Sequence, residues 1–356
     1  MEKKKILIIH TGGTIGMVRT ENGYAPQSGA LLEELNQIRD LRSPEMPDWD
    51  LIEFDPLLDS TNIRYEQWNS IAGAISRHYG EYDGFVVLHG TDTLAYSASA
   101  LSFMLEGLDK PVVFTGAQIP LCELRSDGRD NLITSMMVAA DGIINEVSLC
   151  FGDSVLRGNR AIKYSADGMV AFTSPNCNKL ADAGISIEYD KASIRRYVKD
   201  ALHTAALHPV MLKESRIAVI KIVPGIQFDI FEPIMGESLD GLVLESFGKG
   251  NIPDYDPALS RLISEASKCG TIVVVCTQCP AGTVALGTYE AGSALVKAGA
   301  VSGGNMTTEA AITKLIYLLS KNLSEYEIRR FMQTDLRGEL TQQKLKPQRQ
   351  TGKAAD

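Results

Sequence analysis

The sequence predicts an α/β fold: a larger N-terminal domain with a mostly parallel, flavodoxin- or Rossmann-like sheet, followed by a smaller C-terminal α/β domain. Three observations carry that prediction. Short apolar, β-branched runs alternate with stretches whose apolar residues recur at helical spacing. The apolar runs are continuous, which is the pattern of strands covered on both faces of a parallel sheet. Two of them end in turns rich in glycine and threonine, where open α/β sheets hold their ligands.

The elements follow in order. Strands are expected at 5–10, 84–88, 111–115, 147–151, 216–222, 241–245 and 271–276. Helices are expected at 68–79, 97–108 and 130–140, the last opening on Asp130 as an N-cap. Further helices are expected at 256–268, 290–298, 308–320 and 324–333. A polar stretch near 189–212 divides the chain into an N-terminal domain at 1–190, a linker at 191–212 and a second domain at 213–337. Residues 338–356 are polar, carry one proline and lack periodicity, so they are expected to form a disordered tail.

The 356 residues suffice for about two domains and a sizeable core. A net charge of -9 argues against nucleic acid, whose phosphates need clustered Lys and Arg. The main lysine cluster, Lys3 to Lys5, runs straight into a strand and is read as a solvated terminus. No apolar stretch approaches the ~20 residues of a membrane helix, and the run from Ile6 to Ile9 is too short for a signal peptide. No membrane association is expected. The six cysteines are scattered through a large chain, as in a reduced, cytoplasmic protein. Cys276-Thr277-Gln278-Cys279 has C-x-x-C spacing but no second pair, and is read as the end of a buried strand. With five histidines and no second cysteine pair, neither zinc nor another metal is expected, nor any other cofactor.

The chemistry lies in the two turns. Thr14 closes Thr11-Gly12-Gly13-Thr14, where paired glycines let the backbone turn tightly and a ligand approach the main chain. A hydroxyl there can serve as a nucleophile, with backbone N–H groups available to an oxyanion. A phosphate-binding turn is the bland alternative, weakened because neither G-x-G-x-x-G nor G-x-x-x-x-G-K-[ST] is present. The second turn, His89-Gly90-Thr91-Asp92-Thr93, sets a carboxylate beside a threonine. Asp92 could hold a substrate ammonium, or simply cap the next helix. His89 reads as a structural donor in its turn. Lys163, between apolar neighbours, reads from position alone as an ordinary exposed lysine.

The segment from Ile8 to Gly16, together with Gly84 through Leu94, resembles the two signatures of the bacterial-type asparaginase/glutaminase family. The resemblance is nearest to the cytoplasmic type I L-asparaginases and runs from about residue 4 to about 337. It implies a threonine amidohydrolase that converts L-asparagine to L-aspartate and ammonia through an acyl-threonine intermediate. Thr14 would match the nucleophile, and Thr91, Asp92 and Lys163 a second triad that shuttles the proton. Lys163 would act there as a positioned relay or electrostatic partner. Tyr24 would match a tyrosine that closes over the site. Asp59-Ser60-Thr61 would match the loop that binds the substrate's α-carboxylate, with Asp92 accepting the α-ammonium. Gly248-Lys249-Gly250-Asn251 resembles a loop contributed to a neighbouring subunit, which implies a homodimer or homotetramer. Ile162 and Glu245 depart from the polar and basic lining of a second, activating site found in some type I relatives.

An amide is a poor electrophile and ammonia a poor leaving group, so two steps through an ester are easier than one. Two alternatives stay open. One extra methylene is worth only about 1–3 kcal/mol of discrimination, so a broad glutaminase-asparaginase fits as well. An amino-acid-binding sensor could use the same crevice without turnover.

Overall fold

The computed structural model describes residues 3–194, 206–235, 239–253, 255, 258–287 and 290–341. Its first sheet contains β1 (Lys5–Gly12), β2 (Asp48–Leu58), β3 (Gly84–Leu88), β4 (Val112–Thr115) and β5 (Val147–Phe151), followed by β6 (Ser154–Arg157), β7 (Ala181–Ala183) and β8 (Ile187–Tyr189). The spatial order is β8-β7-β6-β5-β4-β3-β1-β2. The pairs β2/β1, β1/β3, β3/β4 and β4/β5 are parallel, and β6 to β8 extend the sheet antiparallel. The parallel part therefore has the order 2-1-3-4-5 of flavodoxin-like folds, with its switch point between β1 and β3.

Helices α1 (Ala30–Gln37), α2 (Tyr65–His78), α3 (Leu94–Met104) and α4 (Gly128–Asp141) cover the two faces. The continuous run in β1 explains why both are needed. Leu7 and Ile9 pack with Trp68 and Ile71 of α2 and Leu101 of α3. Ile6 and Ile8 point the other way, against Leu31 of α1 and Leu132 and Met136 of α4. With a side-chain period of two, every residue of such a strand must be apolar.

The second sheet is parallel throughout, in the order β9 (Ile217–Lys221), β10 (Gly241–Ser246), β11 (Ile272–Thr277) and β12 (Val301–Ser302). It carries α5 (Ala258–Lys268), α6 (Glu290–Lys297), α7 (Thr308–Ser320) and α8 (Glu325–Met332). Helix α7 packs on α3 of the first sheet, where Ser99 Oγ and Thr313 Oγ1 share a buried 2.7 Å hydrogen bond. One hydrophobic cluster accordingly runs through both sheets' helices. No helix among the described residues is long and apolar enough to cross a membrane.

Several boundaries differ from expectation for local reasons. Helix α4 starts after Asp127 rather than at Asp130; the Asp127 carboxylate accepts from the Gln118 and Ile119 N–H groups, at 3.0 Å. Helix α3 begins three residues earlier, directly after Thr93. Strand β2 was not expected, because as a sheet edge it alternates acidic with apolar residues and stays half-exposed. Part of the expected linker, 195–205, lies outside the described residues. Leu212 at its end is buried and exchanges hydrogen bonds with the Asn69 side chain at 2.8 and 2.9 Å.

The first four residues of the expected tail, 338–341, are built into the fold. Glu339 is fully buried against Lys314 at 2.5 Å, and the Arg160 guanidinium donates to Gly338 O at 2.7 Å and to Thr341 Oγ1 at 3.2 Å. Residues 338–341 are thus packed by polar pairing, which a hydropathy pattern does not register. Residues 342–356 lie outside the described residues.

Candidate active site

The switch point brings the two turns together. After β1, Gly12 and Gly13 adopt φ of 126° and 83°, values that side chains rarely tolerate. A Cβ on Gly12 would fall 2.1 Å from Leu58 O, and one on Gly13 would fall 2.3 Å from Gly90 N. The first turn is therefore pressed against the end of β2 and against the second turn. Thr11 adds a tie, its hydroxyl donating to Leu88 O at 2.9 Å. Thr14 opens a short 3-10 turn, Thr14–Gly16, and is half-buried. Its hydroxyl has no hydrogen-bond partner among the described residues.

Thr91 is wired in by contrast. It is 7% exposed, accepts from Lys163 Nζ at 2.9 Å and donates to Gln118 Oε1 at 3.2 Å. Lys163 Nζ also meets Asp92 Oδ1 at 2.6 Å. The lysine is carried by the two-residue strand Ile162–Lys163, which pairs with Phe172–Thr173. Lys163 is thus inside the site and not an ordinary surface lysine. Asp92 does not cap α3 either. The N-cap position belongs to Thr93, whose hydroxyl instead donates to Ser60 O at 2.7 Å.

The second turn is held from below by His89. Burial pushes its imidazole down to about 4, so the ring is neutral. Trp68 Nε1 donates to Ser97 Oγ at 2.8 Å, and Ser97 Oγ lies 2.8 Å from His89 Nε2. Gly90 O, 2.8 Å from His89 Nδ1, can only accept. Donor accounting places the proton on Nδ1, with Nε2 accepting from Ser97. His89 is a structural donor, as its position suggested.

Of the Asp59-Ser60-Thr61 loop, Ser60 faces the junction: a Cβ on Gly90 would lie 2.5 Å from Ser60 Oγ. Asp59 and Thr61 are exposed, and Asp59 Oδ1 accepts from Thr61 N at 2.9 Å, capping its own turn. Tyr24 sits on the hairpin Met17–Thr20/Gly23–Pro26 and is 45% exposed. Its hydroxyl donates to Glu123 Oε1 at 2.7 Å and not to Thr14, and that bond raises its pKa.

Two residues escaped sequence reasoning. Gln118 bonds Thr91 and also donates from Nε2 to Ala166 O and Gly168 O at 3.0 and 3.1 Å. Glu123 holds Tyr24. Both lie in the loop after β4, where Thr115-Gly116-Ala117 repeats the small-residue turn seen after β1 and β3. That repetition was the available signal. Among the described residues, no group of three or more His, Cys, Asp or Glu side chains could hold a metal ion.

A parallel sheet with hydroxyl, ammonium and carboxylate groups gathered at its switch point defines an α/β enzyme with a second, smaller sheet domain. Residues 5–195 match the family described as Asparaginase, N-terminal, and residues 216–332 the Glutaminase/Asparaginase C-terminal domain. The chain belongs to the asparaginase family. It is 48% identical to L-asparaginase 1 of Escherichia coli K12 over 96% of this chain and 99% of that one. The crystal structure of L-asparaginase I from Vibrio cholerae superposes with a TM-score of 0.88 at 44% identity, covering 96% and 100% of the two chains. The thermostable L-asparaginase from Thermococcus kodakarensis gives 0.83 at 33% identity, covering 95% and 100%.

Proposed function

We propose that this chain is an L-asparaginase, hydrolysing L-asparagine to L-aspartate and ammonia. The observation that carries the reading is the Lys163–Thr91–Asp92 network, set against the Thr14 turn where Gly13 meets Gly90. The names of its full-length relatives support the same substrate.

In this reading Thr14 Oγ1 adds to the side-chain carbonyl carbon of asparagine. The Lys163 ammonium gives a proton to the departing nitrogen, so that ammonia leaves, and recovers one from Thr14 through the Thr91 hydroxyl. The resulting ester on Thr14 is then split by water, which releases aspartate and returns the proton to Thr14. Thr91 N–H, which no described group accepts, is a donor for the oxyanion, a contribution worth about 3–4 kcal/mol in other enzymes. Asp92, with its side chain 59% exposed beside Lys163, accepts the substrate ammonium. Asp59, Ser60 and Thr61 bind its α-carboxylate through hydroxyl and backbone donors. Tyr24 leaves Glu123 to close over Thr14.

The same reading takes the chain to be a homodimer or homotetramer, with Gly248-Lys249-Gly250-Asn251 reaching a neighbouring subunit; light scattering tests it. It takes 1–190 and 213–337 as the two domains. It places the protein in the cytoplasm, supported by six cysteines that are all free.

Ammonia release from L-asparagine and L-glutamine, with Thr14→Ala as control, is the test. Rapid release from asparagine that vanishes in the variant supports the proposal, and the glutamine rate sets the specificity. A folded protein that releases none from either is a binder and not this enzyme.

A further inference from the structure

The hairpin that bears Tyr24 touches the rest of the molecule sparingly. Residues 19–24 are all exposed, and the tip closes on itself through Thr20 Oγ1 donating to Gly23 O at 2.7 Å. Apart from the Tyr24–Glu123 bond, which closure would break, and Cys122 Sγ donating to Met17 O at 3.5 Å, its orientation is set where it leaves and rejoins the body. Both of those roots lie on one pair of side chains.

His10 of β1 and Glu53 of β2 are register partners on adjacent parallel strands. The His10 ring lies under the first root. A Cβ on Gly16 would stand 2.6 Å from His10 Cε1 and 2.7 Å from His10 Nε2, so only glycine admits the ring there. Glu53 holds the second root: its Oε1 accepts from Ser28 Oγ at 2.8 Å and from Gly29 N at 2.9 Å. Its Oε2 lies 3.1 Å from His10 Nδ1, which closes the pair.

The electrostatics agree with a permanent tie. Burial lowers the His10 pKa, and the ring has no exposed side-chain surface. Burial works to raise Glu53, but the Gly29 N–H, Ser28 and His10 together hold it below the usual carboxylate range. A neutral imidazole therefore donates from Nδ1 to an ionised carboxylate. That leaves Nε2 buried and without a partner, a cost the fold accepts for the sake of this contact.

We propose that Glu53, braced by His10, is a positioning residue: it pins the rejoining root of the hairpin while the His10 ring backs the departing root, so that Tyr24 swings over Thr14 from a fixed base. A loop fastened at two such points can rotate about the line between them but cannot drift. Because Gly16 lies two residues beyond Thr14, the same ring also backs the turn of the proposed nucleophile. The inference rests on the reading of Tyr24 given above.

The test combines a cycle of variants with a readout independent of turnover. Glu53→Ala should lower kcat/KM by about tenfold or more, as displaced closing groups do. Combined with Tyr24→Phe it should add little, because both remove the same closure. Glu53→Gln should recover most of the activity, since its carbonyl still accepts from Ser28 and Gly29 and its amide can donate to the other His10 tautomer. Trypsin should cut after the exposed Arg19 faster in Glu53→Ala than in the wild type, at equal thermal midpoints. If Glu53→Ala does not fold, Ser28→Ala, on an exposed residue, should show the same pattern more weakly.

Wild-type cleavage and kcat/KM in these variants would overturn the inference, as would full additivity with Tyr24→Phe. An impaired Tyr24→Phe beside an unaffected Glu53→Ala overturns this inference alone. A fully active Tyr24→Phe removes the tyrosine from the proposed reaction, and this inference with it.

Discussion

The turns after β1 and β3 present the same kind of residue in opposite conditions. Thr91 is nearly buried and is bonded on both sides, to a lysine and to a glutamine. Thr14 is half-exposed and its hydroxyl is unengaged among the described residues, beside a hairpin whose tyrosine is bonded elsewhere. One threonine is finished by the fold, and the other waits for something to arrive. The difference follows from what flanks each turn. Helix α3 begins directly after Thr93 and, with the His89–Ser97–Trp68 chain, holds the second turn rigid. After Thr14 comes a three-residue turn and then an exposed hairpin. In the proposed reaction, a preorganised electrostatic half paired with an open half at Thr14 would suit a site that must admit substrate before it excludes water.

The largest effect should break this comparison outright. Thr14→Ala should cut kcat by about a millionfold, the scale of a lost nucleophile, with the thermal midpoint unchanged. Thr91→Val and Lys163→Met should each cost about a hundred- to a thousandfold, as for a lost proton-transfer group, with much of the substrate affinity kept. A greater loss from Thr91→Val than from Thr14→Ala in stopped-flow turnover would reverse the assignment and make Thr91 the attacker. Tyr24→Phe should lower kcat by about tenfold to a hundredfold, the cost of an imperfectly closed site. Unchanged turnover would leave Thr14 with no need of the hairpin.

The smallest effect concerns the rigid turn. His89 is about 6.5 unfolded and about 4 folded, so above pH 6.5 both states are neutral and its contribution to stability is complete. Between pH 6.5 and 4 only the unfolded chain takes up the proton, and up to about 3 kcal/mol is lost. Urea midpoints at pH 7 and 5 should diverge less in His89→Gln than in the wild type. Equal divergence would mean that the ring is not what holds the turn.

Much of this was legible in the sequence because burial on both faces leaves an unambiguous mark. Ile6 to Ile9 and Gly84 to Leu88 could only be central strands, and glycine beside threonine at their ends marked the crevice. Lys163 was invisible as physics, since Ile162-Lys163-Tyr164 looks like any short exposed strand; only the family resemblance pointed to it. Gln118 and Glu123 were missed because a loop of ordinary polar residues gives no periodicity to read. Asp127 and Asp130 are both credible caps by type, and only the fold shows that Asp127 also has the Gln118 and Ile119 N–H groups to serve. Glu339 defeated the hydropathy pattern outright, because a fully buried carboxylate with a fully buried lysine reads as two surface residues.

That last pair has a consequence for how the molecule is made. The Arg160 guanidinium, three residues before Lys163, is secured by Asn305, Gly338 O and Thr341 Oγ1, and Asn159 donates to Arg337 O at 3.1 Å. On a ribosome these partners emerge between 145 and 181 residues behind the segment they fasten, Asn305 first and Thr341 last. A nascent chain stopped at residue 332 would leave Lys314 without its carboxylate, a loss of about 3–5 kcal/mol for a buried pair. Stalled chains of increasing length should therefore show protease resistance of the Lys163 segment only once Thr341 has cleared the exit tunnel. On that expectation, the strand that carries Lys163 is the last part of the site to be completed.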